Sequence, residues 1–471
     1  MLFLAVLLLR AAGFAFGVLN IDESDFLIFG AGFWKGLLPY RDLVEIKPPL
    51  GYLTYALAGP WLNILPIRVL GVFWVFATAL VLRAAARNWT GSEEAGWAAA
   101  WLSLLAGLVE VPSFGSELMM NLPTAGALWF FSKRRYFGSG LCIGLASLYR
   151  HQGGIAALAL GLAVLSEKRW GAFVLLALGS MLPWGVAAGA YAAIGQLPAF
   201  VDWVFVRNLA YAGKGAAGSA LARGLLATLL CVSAALLPWI LATRESLKPR
   251  DDLFWRALVL LLWLTWVPVA LGGRFYEHYY LQFVPPLAVL GSANFVHFRE
   301  KHRRLTWALV ALPLLINQGF AWIRGVSGAY PSQEPRAVQL AQWVRQNSAP
   351  TETLFIWGHY TPLYTLSGRM PGTRYVNTSV HMGNFDPEHL PQGFDTTPFR
   401  SAADVALTLR DLEARKPALF IDTAPSGIHH WDRIPLFPEF LQYIADHYQE
   451  LPDRPGGAAV YRRLGSQAAA R

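Results

Sequence analysis

Apolar runs of roughly twenty residues alternate with short polar connections over the first two thirds of the chain. A helix that crosses a bilayer needs about 20 predominantly apolar residues, and lipid excludes exposed irregular backbone or open sheet edges. The pattern predicts spans over 2–19, 64–83, 95–112, 118–132, 136–150, 153–166, 171–194, 223–243, 253–272, 279–297 and 305–322. Beyond about Pro331 the apolar runs shorten and polar residues interleave. Helical spacing returns over Pro335 to Gln346 and near 402–415, while Thr353 to Trp357, Ala418 to Asp422 and Ala458 to Tyr461 read as short buried strands. The expected fold is therefore mainly α: a polytopic transmembrane helical bundle of about eleven spans, residues 1–323, with a first outer loop over 20–63. A small soluble extracytoplasmic α/β domain follows over 324–471.

Composition agrees with a bilayer as solvent, since 55% of the 471 residues are hydrophobic and only 15% are charged. The net charge of +9 is gathered in short clusters between apolar runs rather than on one face, which argues for membrane topology and against nucleic acid. Lys133-Arg134-Arg135, Lys168-Arg169, Arg244 to Arg250 and Arg299 to Arg304 all fall on one side when the spans are taken in order. By the positive-inside rule that side is cytoplasmic, and so is the N-terminus. The loop 20–63, Glu117, the loop 195–222, the turn Gly272 to Tyr280 and the tail then face outward. The run Leu2 to Leu19 lacks a basic n-region and a clear small-residue cleavage site, so it reads as an uncleaved first span. Cys142 and Cys231 lie inside apolar runs and build no disulfide framework. The tail has neither G-x-G-x-x-G nor a Walker loop, so no nucleotide is expected there.

Most of the unusual polar chemistry falls on the outward side. Asp22-Glu23-Ser24-Asp25 follows the first span, and then Phe26, Phe29, Phe33 and Leu37 recur at i, i+3, i+7 and i+11. That spacing predicts a helix along the membrane surface. The acids are explained equally by capping of that helix or by a site, although three crowded carboxylates should perturb at least one pKa. Lys47 precedes Pro48-Pro49, which pushes its backbone to extended geometry; it suits a lipid phosphate or, as readily, a snorkelling interface position. Arg274, Glu277 and His278 sit at a membrane edge, where ionisable groups are functional candidates, with helix capping an open alternative for His278. Glu117 fits the first turn of a helix as well as a site. His359, His429 and His430 lack metal-ligand spacing and read as ordinary histidines. Asn377-Thr378-Ser379 is a glycosylation sequon by pattern only.

The order of these motifs resembles the membrane glycosyltransferases of the C superfamily, in particular bacterial members of glycosyltransferase family 39, which includes protein O-mannosyltransferases and lipid A aminoarabinose transferases. The likeness is carried by Asp22-Glu23 after the first span, Gly36-x-x-Pro39-Tyr40-x-Asp42 and Lys47-Pro48-Pro49. Ser116-Glu117-Leu118, Gly144 to Arg150 and Gly273 to Tyr280 with Pro285-Pro286 continue it, and the tail runs Phe355 to Gly358 and Ser367 to Arg369 extend it over nearly the whole chain. The resemblance implies inverting transfer of a sugar from a polyprenyl-phosphate donor to an acceptor hydroxyl of a lipid, glycan or protein at the outer face of a bacterial inner membrane. It matches Asp22 to the catalytic acidic residue and Lys47 to the lysine near the donor phosphate. Arg150, standing where a lysine is frequent, matches a second phosphate ligand. Glu23 and Glu117 match acidic positions that shape the site. It gives Asp25 no role and leaves a divalent metal open, since only a scattered set of oxygen ligands is visible. Two other classes stay open from the residues alone: a transporter or flippase of lipid-linked glycans without transferase activity, and a non-catalytic scaffold. Transporters favour repeated halves and midplane ionisable groups, and neither is seen in this chain.

Overall fold

The structure is a computed structural model that describes residues 1–213, 220–383, 395–428 and 434–465. His429 and His430 lie outside the described residues. Among the described residues, four helices are long and apolar enough to cross a membrane: Leu65–Thr90, Trp170–Ala193, Leu253–Gly273 and Arg303–Gln333. The helices Ala220–Ala234 and Leu236–Ser246 make a fifth if that pair, bent by 96°, is one span. The lipid-facing character of these helices is plain from Leu175, Leu178, Met181, Leu315 and Ile316, all exposed, which water would not tolerate as one contiguous apolar surface.

The count of about eleven full spans is therefore corrected to shorter and broken elements at several places. Leu2–Leu9 and Ala11–Ala15 are separate helices broken at Arg10, whose buried guanidinium donates to the carbonyls of Pro112 (3.1 Å) and Ser113 (2.7 Å). The predicted span 223–243 bends at Ala235. Pro238 there has no N–H to give and its ring would clash with the carbonyl of Ala234 four residues back. The predicted span 95–112 ends as the helix Glu93–Ala106 and a 3-10 turn, and 136–150 is a helix of only 14 residues, Tyr136–Tyr149.

The tail holds a four-stranded sheet made of β1 (Leu354–Trp357), β2 (Leu419–Asp422), β3 (Tyr448–Glu450) and β4 (Ala459–Arg463) in the order β1-β2-β4-β3. β1 pairs parallel with β2 in the register Leu354 with Leu419, and the other pairings are antiparallel. The parallel pair β1 and β2 is buried throughout, which is why both read as short, largely apolar runs. β3 escapes sequence reading because it is a short edge strand with Gln449 and Glu450 exposed. The helices Pro335–Asn347 and Ala402–Arg415 lie where helical spacing was read. Glu334 caps the first and Ser401 caps the second.

The tail is tied to the first outer loop. The Val44 N–H donates to the Arg374 carbonyl (2.9 Å), Arg415 donates to the Asp42 carbonyl (3.1 Å), and the Ser24 and Thr365 hydroxyls meet at 3.2 Å. One apolar cluster contains Phe26, Phe29 and Tyr40 from the loop together with Leu354, Tyr364 and Tyr375 from the tail. The helix Ile21–Trp34 is consequently buried from Glu23 to Gly32 rather than laid along a membrane surface. Only its end, with Phe33 and Trp34, is exposed. Gly30 permits this burial, because a Cβ there would stand 2.6 Å from the Tyr55 backbone. Trp34 and Trp61 are exposed, whereas Trp203, Tyr279 and Tyr280 are buried.

Candidate active site

Most of the candidate residues read from the sequence meet around a cavity of about 810 Å³ between the loop 20–63, the turn before Tyr279 and the tail. Its lining includes Asp22, Asp25, Lys47, Arg150, Glu277 and His278. Arg274 lines it too, while Glu23 and Glu117 do not.

Asp22 stands in the first turn of the helix Ile21–Trp34, but it does not cap that helix. The Asn20 side chain is the cap, accepting from the Asp22 N–H at 3.0 Å. The Asp22 carboxylate is thereby available to the Lys47 ammonium, which donates to it at 3.1 Å. Lys47 is posed by the extended backbone before Pro48 and by the Tyr40 hydroxyl, which donates to its carbonyl at 2.6 Å. Asp25, one turn on, comes within 3.9 Å of the same ammonium, and Glu45 within 4.0 Å. Three carboxylates share one lysine.

The crowding separates the two aspartates. Burial pushes the Asp22 carboxyl up, but Lys47, with His278 and Arg150 behind it, outweighs burial and holds it at about 2. Burial dominates for Asp25, reinforced by Glu45 and Asp22 against the pull of Lys47, and raises it to about 8. Burial also opposes the charge on Lys47, yet Asp22, Glu45 and Asp25 together keep it firmly protonated. Sequence reading expected at least one perturbed carboxylate here; Glu45, which completes the group two residues before Lys47, was not singled out.

A second ionic group faces the first. The helix Tyr136–Tyr149 stops at Arg150, whose extended backbone (φ −153°, ψ 130°) turns the side chain toward Glu117 at 3.2 Å. Gly153 allows the turn to fold back, since a Cβ would meet the Ala146 backbone at 2.8 Å. His278 Nε2 lies 3.8 Å from the same Glu117 carboxylate, and its ring stacks on Tyr276. Arg274 lies over the Tyr211 ring, 3.8 Å from its centroid, and donates to the Tyr211 carbonyl.

Glu23 has a different place. It is completely buried, paired with Arg68, and accepts from the N–H groups of Leu19 (2.9 Å) and Phe114 (2.8 Å). It joins the first helices to Leu65–Thr90 below the cavity. Among the described residues no three histidine, cysteine or acidic side chains are grouped to hold a metal ion. Glu23 and Glu117 are each occupied by an arginine, so these residues do not fit a divalent cation. Residues of the tail also line the cavity, among them Tyr330, Glu334, His359 and Tyr360, and sequence motifs offered no sign of this because the contacts are made across the fold.

No family model matches the chain, and no curated protein matches it in sequence. Solved structures do match in three dimensions, and they show a shared fold. ArnT from Cupriavidus metallidurans bound to undecaprenyl phosphate aligns with a TM-score of 0.61 at 13% identity, covering 100% of this chain and 99% of that one. The same ArnT in the apo state gives 0.62 at 13% identity, with 99% and 98% covered. The Archaeoglobus fulgidus oligosaccharyltransferase tethered to an acceptor peptide gives 0.50 at 14% identity, covering 96% of this chain and 70% of that chain.

Proposed function

We propose that the chain is a multi-pass membrane glycosyltransferase that moves a sugar from a polyprenyl-phosphate donor to an acceptor hydroxyl with inversion at the anomeric carbon. The observation that carries this reading is the Asp22 carboxylate held 3.1 Å from the Lys47 ammonium in a cavity that Arg150 and His278 also line. Likeness in fold to an ArnT bound to undecaprenyl phosphate and to an oligosaccharyltransferase supports the choice of donor class.

In this mechanism the donor phosphate takes Lys47 away from Asp22, with Arg150 as its second cation. The acceptor oxygen attacks the anomeric carbon, and its proton passes to the Asp22 carboxylate. The bond from the anomeric carbon to the phosphate oxygen breaks, and the phosphate leaves with the electron pair. The cations stabilise the charge that develops on it. Asp22 is a weak base while Lys47 holds it; removal of that cation by the substrate is what restores its basicity. Glu117 orients Arg150 and His278, and Glu23 holds the framework beneath.

The basic loops, read as cytoplasmic by the positive-inside rule, support a cavity and a tail on the outer side of a bacterial inner membrane. A sugar-release assay with polyprenyl-phosphate donors in proteoliposomes tests the proposal. Asp22→Asn is expected to insert and fold as the wild type and to lose transfer. Full activity of that variant defeats the assignment of the base, and lipid-linked glycan movement without sugar release would favour the flippase instead.

A further inference from the structure

Lys47 faces three carboxylates, Asp22 at 3.1 Å, Asp25 at 3.9 Å and Glu45 at 4.0 Å. With all three ionised, one ammonium would leave two negative charges uncompensated in a nearly closed pocket, and an incoming phosphate would add more. A proton relieves this most cheaply on the carboxyl that is most buried and has no direct bond to the ammonium. That carboxyl is Asp25. It is 2% exposed, against 29% for the Asp22 side chain, and its Oδ1 is buried without a hydrogen-bond partner. The Thr361 hydroxyl of the tail acts on this carboxyl and also faces the Ile21 carbonyl, 3.5 Å away. The buried Tyr52 phenol is a further titratable neighbour, Arg150 acts on both Asp22 and Lys47, and His278 acts on Asp22.

We propose that Asp25 is the proton-carrying member of the carboxylate group around Lys47, and that its neutrality lets the ammonium exchange Asp22 for a lipid phosphate. Asp25 is thus a positioning residue that acts through Lys47. Ionised, it would strengthen the hold on the ammonium and repel the phosphate. Neutral, it does neither. Donor binding and the proton on Asp25 are therefore linked. The inference rests on the transferase reading for the identity of the anion, and nothing in the motifs of the first outer loop assigns Asp25 a role.

The test uses the full-length protein in nanodiscs titrated with undecaprenyl phosphate across the pH range. A phosphate monoester's second ionisation, near a pKa of about 6, is complete above neutrality, so the probe itself does not titrate in the decisive window. Wild-type affinity is expected to be level around neutral pH and to fall by about tenfold per pH unit above the Asp25 transition, as linkage to one proton requires. Asp25→Asn, which keeps shape and neutrality, is expected to bind as tightly at neutral pH and to show no such fall. An infrared band of a protonated carboxylic acid, present in the wild type and absent from Asp25→Asn, gives a second readout that does not depend on binding. Tight wild-type binding that stays level with pH, an Asp25→Asn profile that falls like the wild type's, or the lack of that infrared band overturns the inference alone. Failure of undecaprenyl phosphate to bind at any pH overturns the donor assignment and the inference with it.

Discussion

Asp22 and Glu23 are neighbours in sequence, and each is paired with a cation, yet the two pairs belong to different parts of the molecule. Glu23 and Arg68 are buried together, with both carboxylate oxygens occupied by arginine and backbone N–H donors. Nothing is left over for a ligand. Asp22 and Lys47 form one direct bond at the wall of a cavity, with further acids close by. The first arrangement resists exchange and the second invites it. Saturation of hydrogen-bonding capacity, more than the presence of an ion pair, separates a framework group from a reactive one.

Substitutions can break this comparison from either end. The largest effect is expected for Asp22→Asn, with transfer falling by about a hundred- to ten-thousand-fold, the range for loss of a general base. Its thermal unfolding midpoint should stay close to that of the wild type; a large drop would make Asp22 a framework residue like its neighbour. Glu23→Ala should do the reverse, losing about 3 to 5 kcal/mol of stability by stranding Arg68 without its partner. Detergent-solubilised yield and thermal unfolding would report it, and a fully stable Glu23→Ala protein would erase the distinction.

A smaller effect is expected at the edge of the tail. Arg207 bridges Asp202 (2.8 Å) and the buried Asp404 (3.0 Å), but Asp404 keeps its bonds from Tyr375 and Ser401 when that arginine is gone. Arg207→Gln should therefore cost about 2 kcal/mol, the scale of one charge-assisted hydrogen bond. Limited proteolysis of the tail would show whether the contact holds it. A further effect is a pH dependence of stability. A carboxyl raised to about 8 in the folded protein binds its proton more tightly folded than unfolded. Its contribution is full below the unfolded value of about 4 and is lost as pH rises through the folded value. Asp25→Asn should therefore gain thermal stability relative to the wild type as pH increases across that window. Parallel melting curves at acid and alkaline pH would show the two proteins diverging, and constant spacing between them would count against it.

Much of the fold was legible because it follows from local patterning. β1 and β2 lie within a residue of their predicted limits, since strands buried on both faces read as largely apolar runs. The helix Ala402–Arg415 begins where its Ser401 cap stands. The span pattern failed where a single residue overrides average hydrophobicity: Arg10 breaks the first run to reach two carbonyls, and Pro238 bends another. The stripe of Phe26, Phe29 and Phe33 had the spacing of a surface helix, but its two inner rings pack into a core completed by the tail. Periodicity reports an apolar face without saying what covers it.

The sequence by itself determined that this is a membrane chain with an α/β tail, and that acids and a proline-posed lysine cluster after the first apolar run. Only the tertiary structure decided what each acid does. Successive helical residues point about 100° apart, so Asp22 and Glu23 face different surroundings, while Asp25, nearly a turn on from Asp22, returns to the same lysine. Their partners come from 25 residues away for Asp22 and 45 for Glu23, distances over which spacing along the chain carries no information about contact.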